Sequence, residues 1–178
     1  AMPAARSYWV EPGLFLAGAL PTSPDPVDSR KRLLPFLQAG IHTFINLMEP
    51  NERDHDGQLF LQYESILVEL AVECRLPVPR CFRFPIPDCG VPSRSQMREI
   101  LDTIDGARAE RRPVFVHCWG GKGRTGTVVG CWLLRHHLAK PETVLAKIKQ
   151  LRVTDAAAHQ PSPETRQQIA FVQSWKEA

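Results

Sequence analysis

The stretch PVFVHCWGGKGRTGTVVGCW, residues 113–132, decides the fold of this 178-residue chain. The short apolar run at 113–117 is typical of a strand covered on both faces. A glycine-rich loop follows, and the almost wholly apolar residues 125–137 predict a buried helix. A loop between a strand and a helix lies at the carboxyl end of the strand, which is where α/β sheets place their sites.

Strands and helices alternate along most of the chain. Apolar runs predict a hairpin at 8–16 and strands at 41–48 and 81–86, while helical periodicity predicts helices at 27–38, within 58–74, from Ser93 onward and at 141–151. A last helix is expected to open at Ser162 and Pro163, because proline is favoured at the first helical position. The pattern predicts a single α/β domain, residues 1–178, with a mainly parallel central sheet flanked by helices.

Composition excludes some classes of function. The net charge of +3 is too small for the massed basic face of a nucleic-acid-binding protein, so we expect no nucleic-acid partner. No apolar stretch is long enough to span a bilayer, and the first residues lack a signal-peptide core. We expect a cytoplasmic monomer without a transmembrane segment, in which Ala1, before Met2, is a vector remnant.

The cysteines do not form a disulfide or metal pattern. Their odd number, without a secretion signal, argues against a disulfide framework. None of them has CxxC spacing, so we expect no metal and no other cofactor. Cys131 lies in an apolar run and is expected to be a core thiol, whereas Cys74 and Cys81 carry no clear signal.

The residues between the strand and the helix are suited to binding a small anion. Glycine amides and the helix N-terminus supply partial positive charge, and Arg124 adds a planar fork for a tetrahedral oxyanion. These surroundings favour the thiolate of Cys118, a strong nucleophile. If the anion is a phosphate monoester, attack gives a cysteinyl-phosphate. The expected phosphate-binding residues are Cys118, Trp119, Gly120, Gly121, Lys122, Gly123 and Arg124.

The stretch resembles the HCxxGxxR[ST] signature of the cysteine-dependent protein tyrosine phosphatases. His117, Cys118, Gly121, Arg124 and Thr125 match it. The resemblance implies that the Thr125 hydroxyl hydrogen-bonds the thiolate and eases breakdown of the intermediate. It also implies that His117 orders the loop and helps to keep the cysteine ionised, rather than acting as a general base.

A general acid must protonate the leaving group. PIPDCGVPS, residues 85–93, places Asp88 thirty residues before Cys118. This arrangement resembles the short dual-specificity phosphatases, in particular the PIxDxGxP pattern of the kinase-associated phosphatase branch and its bacterial relatives. The alternative is that Asp88 only caps a turn. Four other aspartates rank below it: Asp54, Asp56, Asp102 and Asp105.

Cys89 follows the candidate acid directly. If its loop closes over Cys118, oxidation would form a reversible disulfide that protects the nucleophile. The alternative is an incidental thiol.

Residues 162–175 resemble a segment that carries an active-site glutamine in some family members. Gln168 fits this role best, which would be to position the attacking water, and Gln167 is a second choice. The alternative is a solvent-facing helix residue.

The sequence leaves two classes of substrate open. A chain this short, without a tyrosine-bearing loop that deepens the pocket, favours a shallow dual-specificity site, in which Trp119 either stacks on substrate or packs inward. Lys122 matches a lysine of HCKAGKGRT in lipid phosphatases, so a phosphoinositide or inositol phosphate is the alternative. A nucleotide loop of the GxxxxGK[ST] type is disfavoured because Gly123 follows Lys122. A phosphate-binding module without turnover is disfavoured because nucleophile, arginine and acid are all present.

Overall fold

The computed structural model describes residues 2–177, so the expectation about Ala1 lies outside the described residues. Five strands are present in this range: β1 (Ser7–Glu11), β2 (Phe15–Gly18), β3 (Thr43–Asn46), β4 (Arg80–Arg83) and β5 (Val114–His117). The α-helices are α1 (Pro26–Gln38), α2 (Glu64–Glu73), α3 (Arg94–Ala109), α4 (Arg124–Arg135), α5 (Val144–Leu151) and α6 (Arg166–Gln173), with a 3₁₀ turn at Arg152–Thr154.

The strands form one sheet in the order β1-β2-β5-β3-β4. The hairpin of β1 and β2 is antiparallel, and every other pairing is parallel. The predicted α/β fold with a mainly parallel sheet is confirmed. The decisive strand, β5, lies at the centre, so its loop has neighbours on both sides.

Helices cover both faces of the sheet, which explains why the three residues of β5 before His117 are apolar. Phe115 packs in a cluster with residues of α1 and α2. Val114 and Val116 point the other way, as alternate strand residues must, into a larger cluster with α3, α4, α5 and α6. All three side chains are fully buried. Cys131 lies in the larger cluster, as expected of a core thiol.

Local signals set most helix ends. Asp25 accepts a hydrogen bond from the Val27 amide at the start of α1, and Gly40 takes a φ of +88° just after its end. Ser93 caps α3 by accepting a hydrogen bond from the Gln96 amide, as its spacing predicts. Pro35 is accommodated inside α1.

The predicted start of the last helix is wrong. Helix α6 begins at Arg166, because Thr165 and Gln168 form a capping box there. The Ser162–Pro163 peptide bond is cis and precedes the helix. The Ser162 hydroxyl instead donates a 2.7 Å hydrogen bond to the Lys122 carbonyl, so this segment supports the glycine-rich loop.

Candidate active site

The glycine-rich loop, residues 118–124, joins β5 to α4 and places Cys118 at its base. The thiol is 3% exposed. Its Sγ accepts hydrogen bonds from the Gly121 amide at 3.3 Å and from the Thr125 hydroxyl at 3.0 Å. The same hydroxyl lies 3.2 Å from the Gly18 carbonyl. The backbone of the loop and the first turn of α4 thus each supply a hydrogen-bond donor to the sulfur.

Gly121 allows the loop to close against the end of β2. Its φ is +71°, a region that side-chain-bearing residues rarely adopt. A Cβ at this position would lie 2.6 Å from the Ala19 nitrogen and 2.7 Å from the Gly18 carbonyl carbon. Only glycine therefore fits between the loop and β2.

His117 is buried, neutral and fully hydrogen-bonded. Its Nδ1 lies 3.0 Å from the Cys118 carbonyl, which can only accept, so Nδ1 carries the proton. Its Nε2 then accepts from the Tyr63 hydroxyl at 2.6 Å. Burial lowers the pKa of His117 to about 4. The imidazole therefore holds the loop backbone in place and has no free nitrogen to act as a base towards the thiol.

Arg124 is 1% exposed and is held by Glu52. Its Nη1 and Nη2 donate to the two carboxylate oxygens at 2.7 and 2.9 Å, and Nη1 also donates to the Ile86 carbonyl. Burial would lower the pKa of Arg124, but the hydrogen bonds to Glu52 and the charges of Cys118, Glu52 and Asp88 raise it. The guanidinium is thus fixed in place, and its Nη2 also forms an ion pair with Asp88 at 3.3 Å.

Asp88 lies above the glycine-rich loop, on residues 85–93, which we call the acid loop. Its Oδ1 is 3.3 Å from Nη2 of Arg124 and accepts a hydrogen bond from the Cys89 amide. The side chain is 56% exposed, so its carboxylate is open to solvent. The acid loop therefore places Asp88 beside Arg124, at the end of the glycine-rich loop.

Gln168 connects the acid loop to the glycine-rich loop. Its Nε2 donates to the Gly90 carbonyl at 3.1 Å, while its Oε1 accepts from the Glu164 and Thr165 amides. A Cβ at Gly123 would lie 3.0 Å from both amide atoms. Gln168 is fully buried rather than solvent-facing, whereas Gln167 is exposed.

Trp119 and Lys122 take different directions from the loop. The Trp119 ring is half-buried and contacts the rings of His55 and Phe60, with centroids 4.6 and 5.1 Å away. It therefore forms an outer wall instead of packing inward. The Lys122 ammonium donates to Gln160 at 2.6 Å and faces Glu164 at 3.9 Å.

The lower-ranked aspartates have structural partners away from the thiol. Asp102 pairs with Arg135, and Asp105 accepts hydrogen bonds from Trp132, from Arg108 of α3 and from Arg135 of α4. Asp54 accepts from the amides of its own loop. Asp56 is an exposed residue of that loop.

Three cysteines, Cys74, Cys81 and Cys89, are exposed and unbridged. The charge of Asp88, followed by partial burial, raises the pKa of the Cys89 thiol. A raised pKa disfavours the thiolate on which oxidation depends. The raised pKa therefore argues against a protective disulfide between Cys89 and Cys118.

Residues far apart in the sequence complete the site, and sequence reasoning missed them. Glu52 comes from a polar loop, Tyr63 from the start of α2, and Arg6 donates to the Gly120 carbonyl at 2.6 Å while pairing with Asp155. Glu52 and Arg6 are each one of many similar residues in the sequence, and Tyr63 is one of only two tyrosines. The only available signal was that a buried arginine requires a carboxylate.

Between residues 2 and 177 no cluster of three or more His, Cys, Asp or Glu side chains is placed to hold a metal ion. None of the helices in the same range is long and apolar enough to cross a membrane.

Comparisons with known proteins agree with this geometry. Residues 4–177 match a family model described as "Swiss Army Knife protein, DSP-PTPase phosphatase domain". Mouse dual specificity protein phosphatase CDC14B is 26% identical over 72% of the chain, and Arabidopsis thaliana phosphatidylglycerophosphate phosphatase PTPMT1 is 26% identical over 78%. The solved structure of Tk-PTP in its active form has a TM-score of 0.68 at 22% identity and covers 94% of both chains, which shows the shared fold.

The matched region is a part of those relatives. It spans 24% of the mouse protein and 35% of the Arabidopsis protein. One is named as a protein phosphatase and the other as a lipid phosphatase, so the relatives differ in the class of substrate. Fold, loop and family model together show that the chain belongs to the DSP-PTPase phosphatase family.

Proposed function

We propose that this phosphatase hydrolyses phosphate monoesters of phosphoproteins, with tyrosine or dual specificity, through a cysteinyl-phosphate intermediate. The observation that carries the proposal is the hydrogen bonding of Cys118, whose sulfur accepts from Gly121 and Thr125 at the base of the loop. Arg124 lies at the end of the same loop, and its Nη2 is 3.3 Å from Oδ1 of Asp88.

In the first step the Cys118 thiolate attacks phosphorus. The sulfur–phosphorus bond forms as the ester oxygen–phosphorus bond breaks, and Asp88 gives its proton to the leaving oxygen. Arg124 and the loop amides stabilise the charge on the three equatorial oxygens. Glu52 supports this step by holding Arg124 in a fixed orientation.

In the second step water hydrolyses the intermediate. The Asp88 carboxylate, left by the first step, takes a proton from the water, and the bond between sulfur and phosphorus breaks to release phosphate and the thiolate. The Thr125 hydroxyl, 3.0 Å from the sulfur, stabilises the leaving thiolate. Gln168 contributes by tying Gly90 of the acid loop to the wall beside Gly123.

A phosphoinositide or inositol phosphate is the second candidate substrate, and Lys122 in the loop favours it. A second phosphate group needs a free cation beside the first. The ammonium of Lys122, however, already donates to Gln160 and faces the Glu164 carboxylate. These contacts favour a substrate with a single phosphate group.

A panel of substrates tests the proposal. We expect a higher kcat/KM for phosphotyrosine, phosphothreonine or phosphoserine peptides than for soluble phosphoinositides. Cys118→Ser should abolish hydrolysis and leave peptide binding intact, because serine is a far weaker nucleophile of similar size. A higher kcat/KM for the phosphoinositides than for the peptides would instead support the second candidate substrate. A Cys118→Ser protein with an unchanged rate would contradict the mechanism, and a wild-type protein that only binds would indicate a module without turnover.

A further inference from the structure

Two cavities adjoin the ring of Trp119, which follows Cys118 directly in the chain. One cavity of about 240 Å³ lies between this ring and the segment that follows β2. A second cavity of about 460 Å³ lies on the other side of that segment. Leu20, Thr22 and Trp119 line both cavities, and we call the smaller one the groove.

The walls of the smaller cavity are mostly apolar. Leu20, Leu61 and Pro24 line it together with the rings of Phe60 and Trp119. At the rim Leu59 leaves 57% of its surface in solvent. Covering this side chain with an apolar group removes its surface from water, which favours binding.

One polar group in the groove lacks a partner. Thr22 is 7% exposed, and its hydroxyl makes no hydrogen bond within residues 2–177. A buried hydroxyl without a partner costs free energy, so a ligand that offers a carbonyl or an amide gains from pairing with it when the Thr22 side chain rotates towards the groove. The adjacent backbone is fixed, since the Leu20 amide donates to the Trp119 carbonyl.

The charge beside the groove is negative. Residues 49–57 carry four carboxylates and one arginine, and Glu52 is already paired with Arg124. Asp54 lines the groove and accepts only backbone amides, with no cation bridged to it among the described residues. A basic side chain therefore complements this rim, and an anionic one does not.

We propose that the groove binds the polypeptide that flanks the phosphorylated residue, with an apolar side chain between Leu59 and Trp119 and a basic side chain near Asp54. This inference rests on the proposed function and adds a sequence preference to it. A peptide supplies both the carbonyl that Thr22 lacks and the cation that Asp54 lacks. An acyl chain would leave the hydroxyl unpaired and bring an anionic headgroup towards the carboxylate.

Two phosphotyrosine peptides that differ only in their flanking residues test the groove. One carries leucine and arginine, and the other carries serine and glutamate. We expect the first to have a kcat/KM about 10-fold higher, mainly through KM. Leu59→Asp should reduce this preference to about 2-fold and leave the rate with p-nitrophenyl phosphate, which has no flanking residues, unaffected. Val72→Asp, at an apolar α2 residue with 66% exposure, is the matched control and should retain the preference.

Thr22→Val supplies a second readout, because it keeps the shape and removes the hydroxyl. We expect KM for the preferred peptide to rise about 3-fold with kcat unchanged. Equal efficiency for the two peptides, or a preference that Leu59→Asp does not change, would overturn the groove while peptide hydrolysis by Cys118 stands. If Leu59→Asp lowers kcat/KM only for micellar phosphatidylinositol phosphate, this result would also overturn the peptide groove, in favour of a lipid. Hydrolysis of neither peptide by the wild type would remove the proposed function itself.

Discussion

At the scale of single residues, the site depends on how Arg124 is held. A guanidinium that is 1% exposed needs acceptors for its N–H protons. Glu52 and the Ile86 carbonyl together accept three of these protons. If Arg124 binds phosphate as we propose, a fork fixed in this way loses little rotamer entropy on binding.

Glu52→Gln tests this positioning. The amide keeps the size of the side chain but loses the charge and one of the two acceptors, so Arg124 is held less firmly. We expect kcat/KM for p-nitrophenyl phosphate to fall about 10- to 100-fold, the equivalent of one charge-assisted hydrogen bond. Asp56→Asn, at an exposed carboxylate of the same loop, is the control. Equal rates for the two variants would argue against a role for Glu52.

Asp88→Asn tests the general acid. The amide cannot protonate the leaving oxygen, so turnover should fall by about 10²-fold for phosphotyrosine peptides. The loss should be much smaller for p-nitrophenyl phosphate, because nitrophenolate leaves without a proton. Asp102→Asn, which removes one of the carboxylates that pair with Arg135, is the control. Equally small losses for both substrates would mean that another group is the acid.

At the scale of elements, the turn between β5 and α4 is shaped by its contact with β2. The loop can turn sharply because Gly121 adopts a positive φ while its α-carbon lies against the Gly18 and Ala19 backbone. Helix α6 then closes the other side, since the Gln168 side chain that completes its N-cap also holds the acid loop.

Gly121→Ala should distort the glycine-rich loop. The methyl group would lie 2.6 Å from a backbone nitrogen, and neither backbone can yield without displacing the Gly121 amide from the sulfur. We expect a loss of kcat/KM of at least 10²-fold and a fall in the free energy of unfolding of about 2 kcal/mol.

Gly40→Ala is the control for that substitution. Gly40 also has a positive φ, of +88°, but nothing lies within 4 Å of its added Cβ. It should lose about 1 kcal/mol of stability through backbone strain and keep its activity. If Gly121→Ala is as active as Gly40→Ala, the close approach to β2 is not required for catalysis.

At the scale of the whole molecule, the buried His117 makes folding stability depend on pH. Burial lowers its pKa to about 4 in the native state, whereas an unfolded histidine titrates near 6.5. Between these values the unfolded chain binds more protons, so stability rises with pH. This contribution is complete above about pH 6.5 and is lost as the pH falls towards 4.

Urea unfolding of His117→Gln at pH 7 and pH 5 measures this effect. The wild type should lose about 2 kcal/mol more stability than the variant between the two pH values. The exposed His159 provides the control, because His159→Gln should keep the wild-type slope. If His117→Gln retains that slope as well, the histidine is not buried in its neutral form.

The fold could be predicted from the sequence because its main signals are patterns of neighbouring residues. The apolar run of β5, the glycines after it and the cap at Ser93 depend on neighbours within a few residues, so periodicity and turn chemistry predict them. The start of α6 was misplaced because proline at 163 carries a helix-start signal that the capping box at Thr165 overrides.

The amino-acid sequence alone determined the α/β architecture, the loop from Cys118 to Arg124 and the candidate acid Asp88, because each depends on residue types at short spacing. Only the tertiary structure decided that Glu52 holds Arg124, that Tyr63 fixes His117 and that Gln160 holds Lys122. Those contacts join residues 38 to 72 positions apart, and the physical reason is that burying a charge or a polar ring requires a partner without specifying which distant residue supplies it.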